Sequence, residues 1–439
     1  MRAEAATILY KMNDKKIERS WAMFDWANSA YALVITTAIF PAYFMKSTKP
    51  IIDIGSISIS NSSLYAFSIS FAYIIIAFLS PILSGISDFE GIKKPFLKFF
   101  TVMGSLACMS LFLFKGNDTW YIGTVGFIVA TIGYVGGLVF YNSYLPEIVT
   151  EDRYDIVSAK GFAYGYIGSV LLLLFNLWVI QEPGTFGLEE GTLPIRMAFI
   201  TVGLWWILFA QIPFKYLPGK NQKLIYNKNI LSKGYDEIKL VWEEVKNTKN
   251  IKWFLASFFF YNAGVQTAIY MASTFAEKEL HFETAELIIL ILLLQFVGLV
   301  GAYLFAKLSE KKGNAFTLIL LLVIWTSVCF SAYLIKEKIH FYYVASAVGL
   351  VMGGIQAISR STFSKLLPKD LHNTTSYFSF YDVVDKAGVV FGTFSFGMIE
   401  LMTGNMRQSI LSIATFFLIG LIIFSKVRVK HSTYQRVVN

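Results

Sequence analysis

The chain alternates between long apolar runs and short polar turns, and this pattern sets the first expectation. A helix needs about 20 apolar residues to cross ~30 Å of hydrocarbon. Twelve runs are long enough: 21–45, 64–86, 96–115, 120–144, 157–180, 197–215, 251–276, 286–308, 315–335, 341–364, 376–400 and 408–427. They predict an all-α polytopic membrane protein with twelve transmembrane helices. The longest interruption, 216–250, separates a six-helix half at 21–215 from a second at 251–427, leaving 1–20 and 428–439 as terminal segments. Inside that interruption Ile238, Val241, Trp242 and Val245 recur at i, i+3, i+4 and i+7. The spacing predicts an amphipathic helix on the membrane surface, with a solvated linker bearing a chance apolar stripe as the alternative.

The two halves repeat. Ile86-Ser87-Asp88-Phe89-Glu90-Gly91 returns as Leu308-Ser309-Glu310-Lys311-Lys312-Gly313, an offset of 222 residues. Leu145-Pro146-Glu147 returns as Leu367-Pro368-Lys369 at the same offset, and Asn28-Ser29-Ala30 has a looser echo in Asn262-Ala263-Gly264. Two parallel, pseudo-symmetric halves predict a solute cavity between them near the bilayer midplane.

Charge refines the picture. The chain is 55% hydrophobic with 15% charged residues, against about 25% charge in a soluble domain. The net charge of +9 does not point to nucleic acid, because the bases fall in short turns between apolar runs. With both termini on one side, 29 Lys and Arg lie there, 8 lie opposite and Lys386 lies within a span (29 + 8 + 1 = 38). The positive-inside rule makes that side cytoplasmic, and a cytoplasmic (plasma) membrane is the expected location. The first 20 residues lack the apolar core of a cleavable signal. Cys108 and Cys329 lie in apolar runs, and His281, His340, His372 and His431 fall in turns or the tail without metal-ligand spacing. No phosphate-cradling loop and no clustered catalytic set occurs, so no enzyme, metal, cofactor or ATP-driven transport is expected. Asn61 and Asn117 begin Asn-x-Ser/Thr sequons on the opposite side, relevant only in a secretory host.

Ionisable residues inside spans are the candidate chemistry. Span eleven carries Tyr381, Asp382, Asp385 and Lys386. Asp382 stands one turn from both Asp385 and Lys386, so the three share a face. Entry near Ser376 puts Asp385 ~14 Å deep. One lysine neutralises one of two carboxylates, which leaves the other to take up a proton or a cation; a structural ion-pair network is the alternative. Asp25, Asn28 and Tyr31 form a polar stripe entering span one, flanked by Trp21 and Trp26, which read as interfacial aromatics. Asp25 reads equally well as a helix-end carboxylate in water. Asn142 lies near the end of span four. Asn262, Gln266, Gln295 and Gln356 are neutral polar residues in spans seven, eight and ten that either hydrogen-bond a solute or bridge helices. Arg360, near the end of span ten, pairs with a gate carboxylate or snorkels, and Glu147, Asp152 and Arg153 after span four look like its counterparts. Gly161, Gly165 and Gly168 in span five read as helix-packing positions.

The turn Gly85-Ile-Ser-Asp88-Phe-Glu-Gly91-Ile-Lys93-Lys94-Pro-Phe96 resembles the loop between helices two and three of major facilitator transporters. Trp21–Tyr31, Tyr141–Glu147, Tyr261–Gln266 and Gly353–Ser361 are similar to a narrower group, the unknown-major-facilitator family related to autophagy-linked vacuolar amino-acid effluxers. The resemblance implies the major facilitator fold. It also implies a gating role for Gly85, Asp88, Gly91, Lys93 and Lys94, with Asp88 securing span eleven near Ser376. Span five lacks the Gly-Pro signature of antiporter-type facilitators, and Asp382 and Asp385 stand at positions where the resemblance implies less acidic residues. The expected function is secondary active transport of a small polar solute, an amino acid or similar metabolite, by a monomer that alternates access, with protons coupled through Asp385 or Asp382. An exporter of lipophilic compounds and a transporter-like solute receptor are the competing readings.

Overall fold

The computed structural model describes residues 12–55, 57–90, 92–219, 230–368, 373–403 and 406–429. Gly91, Lys369, His372, His431 and parts of the terminal and central segments lie outside the described residues. Among those described the chain forms thirteen long helices. The first six are α1 (Lys15–Ser47), α2 (Asn61–Glu90), α3 (Lys93–Ser110), α4 (Trp120–Asn142), α5 (Tyr154–Gln181) and α6 (Leu193–Tyr216). The intervening α7 is Ile230–Asn247. The second six are α8 (Lys249–Leu280), α9 (Thr284–Lys312), α10 (Asn314–Leu334), α11 (Lys338–Leu366), α12 (Thr374–Thr403) and α13 (Met406–Phe424). A two-stranded hairpin, β1 (Ile51–Ile54) and β2 (Ile57–Ser60), lies between α1 and α2 with Ile51 opposite Ser60.

Twelve of them are membrane-length: α3 continues to Leu113 as a segment of 21 residues, and the 19 residues of α13 span ~28 Å. Ten of the twelve are long and apolar enough by composition alone to cross a bilayer. The two others, α8 and α12, carry the polar chemistry. Tyr261, Asn262, Gln266 and Tyr270 dilute the apolar run of α8, and Asp382, Asp385 and Lys386 interrupt α12.

Helix neighbours repeat between the two groups. In the first, α1 packs on α6, α2 on α4, and α3 on both α4 and α6. In the second, α8 packs on α13, α9 on α11, and α10 on both α11 and α13. Small residues make the closest crossings possible: a Cβ on Gly133 would strike the backbone of Gly104 between α4 and α3, and one on Gly353 would strike Gly298 between α11 and α9. Gly165 and Gly168 play the expected packing role, since a Cβ there would meet Ser29 and Trp26 of α1.

Two compact units result, and they do not follow the halves of the chain. One unit comprises Lys15–Tyr144 and Tyr164–Asp236; the other comprises Leu145–Ala163 and Glu237–Asn439 with the short segment ending at Asp14. The opening turns of α5 therefore group with the C-terminal helices. In α7, Val241 and Val245 are buried, whereas Trp242 is half exposed with its ring 5.6 Å from Phe380.

Two features of α1 differ from expectation. The helix begins at Lys15, six residues before the apolar run (21 − 15 = 6), because Lys15 to Ser20 continue the helical periodicity with Glu18 and Ser20 buried. Its middle, Tyr31–Ile39, is a π-helix rather than an α-helix. Thr37 Oγ1 donates to the Ala32 carbonyl at 2.9 Å, and the Tyr65 hydroxyl donates to the Thr36 carbonyl at 2.7 Å. Pro41 follows directly, and its missing N–H removes one α-helical bond at this point.

Candidate functional site

The charged residues of α12 sit ~12 Å (Asp382) to ~16 Å (Asp385) from its start at Thr374, near mid-depth of ~30 Å of hydrocarbon. The structure brings them together around one ammonium. Lys386 Nζ lies 3.0 Å from Asp382 Oδ1 and 2.5 Å from Asp385 Oδ2. Asn262 of α8 donates through Nδ2 to Asp385 Oδ1 at 2.7 Å. Both oxygens of Asp385 are thus satisfied. Asp382 is 5% exposed, and its Oδ2 is buried without a hydrogen-bond partner among the described residues. Tyr381, adjacent in sequence, stacks on Phe258 at 4.2 Å and Phe363 at 5.0 Å. One turn along, the Tyr261 hydroxyl bonds with Ser359 Oγ at 2.8 Å. Gln266 and Gln356 are half-buried on α8 and α11. A buried ion pair this well bonded fixes geometry more than it adds stability, because desolvation offsets much of the attraction.

The other unit carries the polar stripe of α1. Asp25 stands ten residues inside the helix (25 − 15 = 10), ~15 Å from its start, and is 5% exposed. It is therefore not a helix-end carboxylate in water. The Tyr141 hydroxyl donates to Asp25 Oδ2 at 2.7 Å. Trp21 is not an interfacial aromatic either: it is fully buried, stacks on Tyr141 at 4.5 Å and donates its Nε1–H to the Tyr141 carbonyl at 3.0 Å. Both departures have one cause. The earlier start of α1 moves these residues inward by nearly two turns. Trp26 stacks on Trp205 at 5.6 Å. The Tyr31 hydroxyl shares a 2.8 Å bond with Thr131 Oγ1. Asn28 is 1% exposed, and neither atom of its amide has a partner among the described residues. Asn142 is half-buried at the last residue of α4.

The residues expected at the gate divide between structural bonds. Asp88 has a fully shielded side chain 3.9 Å from Lys93 Nζ, and Lys94 Nζ donates to the Leu217 carbonyl past the end of α6 at 2.8 Å. Gly85 is buried. In the other unit Thr374 Oγ1 donates to Glu147 Oε1 at 2.9 Å, and Arg153 ends the turn Glu151–Arg153 before α5. Arg360 is buried rather than snorkelled: Nε donates to Ser158 Oγ at 2.9 Å, Nη2 donates to the Ser158 carbonyl at 2.7 Å, and the guanidinium lies over Phe162 at 4.3 Å.

Beside Arg360 lies a network that the sequence reading missed. Asp155, 1% exposed, accepts from Asn314 Nδ2 at 2.8 Å, Ser361 Oγ at 2.5 Å and Lys365 Nζ at 2.8 Å. Lys365 also donates to Asn314 Oδ1 at 2.7 Å. An acid in the first turn of a helix and a lysine in the last turn are ordinary helix-end charges, so nothing in the one-dimensional pattern singled them out. Only the docking of the first turn of α5 beside α10 and α11 makes them partners.

Twelve membrane-length helices in two groups that share most of their helix neighbours define a multi-pass membrane protein of the major facilitator fold. Solved structures share that fold: the fucose:proton symporter FucP of E. coli aligns with a TM-score of 0.67 at 13% identity, covering 94% of this chain and 98% of that one. The human organic anion transporter MFSD10 aligns with a TM-score of 0.69 at 10% identity, covering 94% and 99%. The chain belongs to the Atg22-like vacuole effluxer family, whose model matches residues 13–437. It is 30% identical over 427 residues to the uncharacterized MFS-type transporter YxiO of Bacillus subtilis, covering 95% of this chain and 96% of that protein. It is 27% identical over 416 residues to autophagy-related protein 22 of Kluyveromyces lactis, covering 84% and 80%.

Proposed function

We propose that this protein moves a small polar solute, an amino acid or similar zwitterionic metabolite, by alternating access, coupled to protons, in a cytoplasmic membrane with both termini inside the cell. The observation that carries the reading is the buried Asp382–Asp385–Lys386–Asn262 cluster. Three charges within five residues are costly at mid-membrane, and a purely structural helix contact is made more cheaply by neutral residues. Acid and base side by side complement the ammonium and carboxylate of a zwitterion. The resemblance to autophagy-linked amino-acid effluxers supports the same class. In this reading Gly85, Asp88, Lys93, Lys94, Glu147, Arg153 and Arg360 serve the gate. Asp25, Asn28, Tyr31, Asn142, Gln266, Gln356 and Tyr381 shape the solute path.

The test is flux in proteoliposomes with a panel of labelled amino acids, with and without an imposed pH gradient. Saturable transport that the gradient drives, and that Asp385→Asn abolishes, is expected. Gradient-independent transport by both proteins removes proton coupling, and binding without flux makes the protein a receptor. One observation favours the lipophilic-exporter reading: a cavity inside the second unit lined by Met271, Phe275, Trp325, Phe341 and Phe396 among other apolar side chains. Competition by hydrophobic compounds, with no amino acid transported, would establish that reading instead.

A further inference from the structure

We infer that the coupling proton binds Asp382 at Oδ2, and that Asp385 is the counter-ion bonded to Lys386. This rests on the proton-coupled reading above and assigns what that reading left open between two carboxylates.

The assignment follows from how the four oxygens are bonded. Asp385 has a donor on each oxygen: Asn262 Nδ2 at 2.7 Å on Oδ1 and Lys386 Nζ at 2.5 Å on Oδ2. Two donors and one of them an ammonium hold a carboxylate in its charged form. Asp382 has Lys386 on Oδ1 at 3.0 Å, and nothing among the described residues on Oδ2. A buried anionic oxygen with no donor is expensive, and neutralising it removes the charge that makes it so. Two carboxylates and one ammonium carry a net charge of −1. One proton brings the cluster to zero.

A proton suits this oxygen better than a metal cation does. Oδ2 presents essentially no surface, so a cation with its own volume and ligand shell has no room beside it. No group of three or more His, Cys, Asp or Glu that could hold a metal ion exists among the described residues. Nor do other ionisable groups of the same unit compete. On α8 the cluster meets neutral Asn262 and the hydrogen-bonded hydroxyl of Tyr261. On α11 the nearby charge is Arg360, engaged with Ser158. On α7 Glu244 accepts from Tyr377, two turns before the cluster. The sole charged residue of α13 is Arg407, bonded to Glu279 at 2.9 Å. On α12 itself Tyr381 is packed between Phe258 and Phe363.

The step is a simple exchange. An O–H bond forms at Asp382 Oδ2 with a proton from water on one side of the membrane. The same bond breaks toward water on the other side after the transporter switches. Lys386 stays bonded to Asp385 throughout, so Asp382 is released from the lysine when protonated and recaptured when not.

Infrared difference spectroscopy of the purified protein across a pH titration reads this directly, together with flux under an imposed proton or sodium gradient. A protonated-carboxyl band that titrates in wild type, vanishes in Asp382→Asn, persists in Asp385→Asn and returns in Asp382→Glu is expected. The residual flux of Asp382→Asn should lose its stimulation by the pH gradient. A band that vanishes in Asp385→Asn and persists in Asp382→Asn overturns the assignment. So does the absence of any titrating band in wild type, and so does a sodium gradient that drives transport with the band unchanged. If the band follows Asp382 but no gradient affects wild-type flux, the assignment stands and the coupled-transport reading fails. Should Asp382→Asn not fold, the glutamate variant alone decides, because it must shift the band rather than leave it in place.

Discussion

Asn28 and Asn262 each lie thirteen residues from the start of their own helix, α1 and α8 (28 − 15 = 13; 262 − 249 = 13). Both are buried. Their surroundings differ. Asn262 donates to Asp385 and is tied into an ionic cluster, while the amide of Asn28 has no partner among the described residues. Nearby, Asp25 of the first unit accepts from the Tyr141 hydroxyl, on whose ring Trp21 stacks. The Asn262 amide is committed to a carboxylate, whereas the Asn28 amide leaves donor and acceptor uncommitted among the described residues. A protein that retains an unpartnered buried amide sacrifices stability there, and binding sites are where such costs are commonly kept.

The largest effect should come from removing the ammonium that holds the C-terminal cluster. Lys386→Met leaves Asp382 and Asp385 buried without a counter-charge, and breaking a buried pair costs about 3–5 kcal/mol. Thermal unfolding in detergent should show the loss, and a melting temperature equal to wild type would mean the cluster is not ionic. A medium effect should separate the two asparagines. Asn262→Ala removes a bond to a charged carboxylate, worth about 1.5–3 kcal/mol. Asn28→Ala removes an amide that bonds to nothing described, so stability should hold within about 0.5 kcal/mol of wild type or improve. Transport should nonetheless fall in Asn28→Ala, read as a raised KM. Equal destabilisation by both variants would erase the distinction drawn between the halves. Smallest in stability is Asp88→Asn, which keeps the size of the side chain and its place 3.9 Å from Lys93 Nζ. We expect a change below about 1 kcal/mol, with an altered distribution between inward- and outward-open states measured by thiol labelling of introduced cysteines. If rate and distribution both match wild type, Asp88 has no part in gating.

Much of the fold was legible in one dimension. Twelve apolar runs correspond to twelve membrane-length helices because lipid leaves the backbone no alternative to helices or closed barrels. Charge was legible where it broke that pattern, so Asp382, Asp385 and Lys386 stood out in α12. Residues whose importance depends on a distant partner were not legible. Asp155 and Lys365 looked like helix-end charges, and Tyr141 like one more aromatic. The depth of Asp25 was misjudged because helical periodicity outran the apolar run by six residues (21 − 15 = 6), and hydropathy does not register a polar first turn.

The sequence by itself determined the helix count, the repeat of two six-helix groups, the family and the presence of unpaired acidity in α12. These are local or periodic properties, and the bilayer enforces them segment by segment. The tertiary structure alone decided which oxygen of which aspartate lacks a donor, and that Asp155 joins Asn314, Ser361 and Lys365. It also decided that Asn262 is bonded to Asp385 while the amide of Asn28 has no partner among the described residues. Hydrogen bonds act over about 3 Å, and only packing determines which side chains come within that reach.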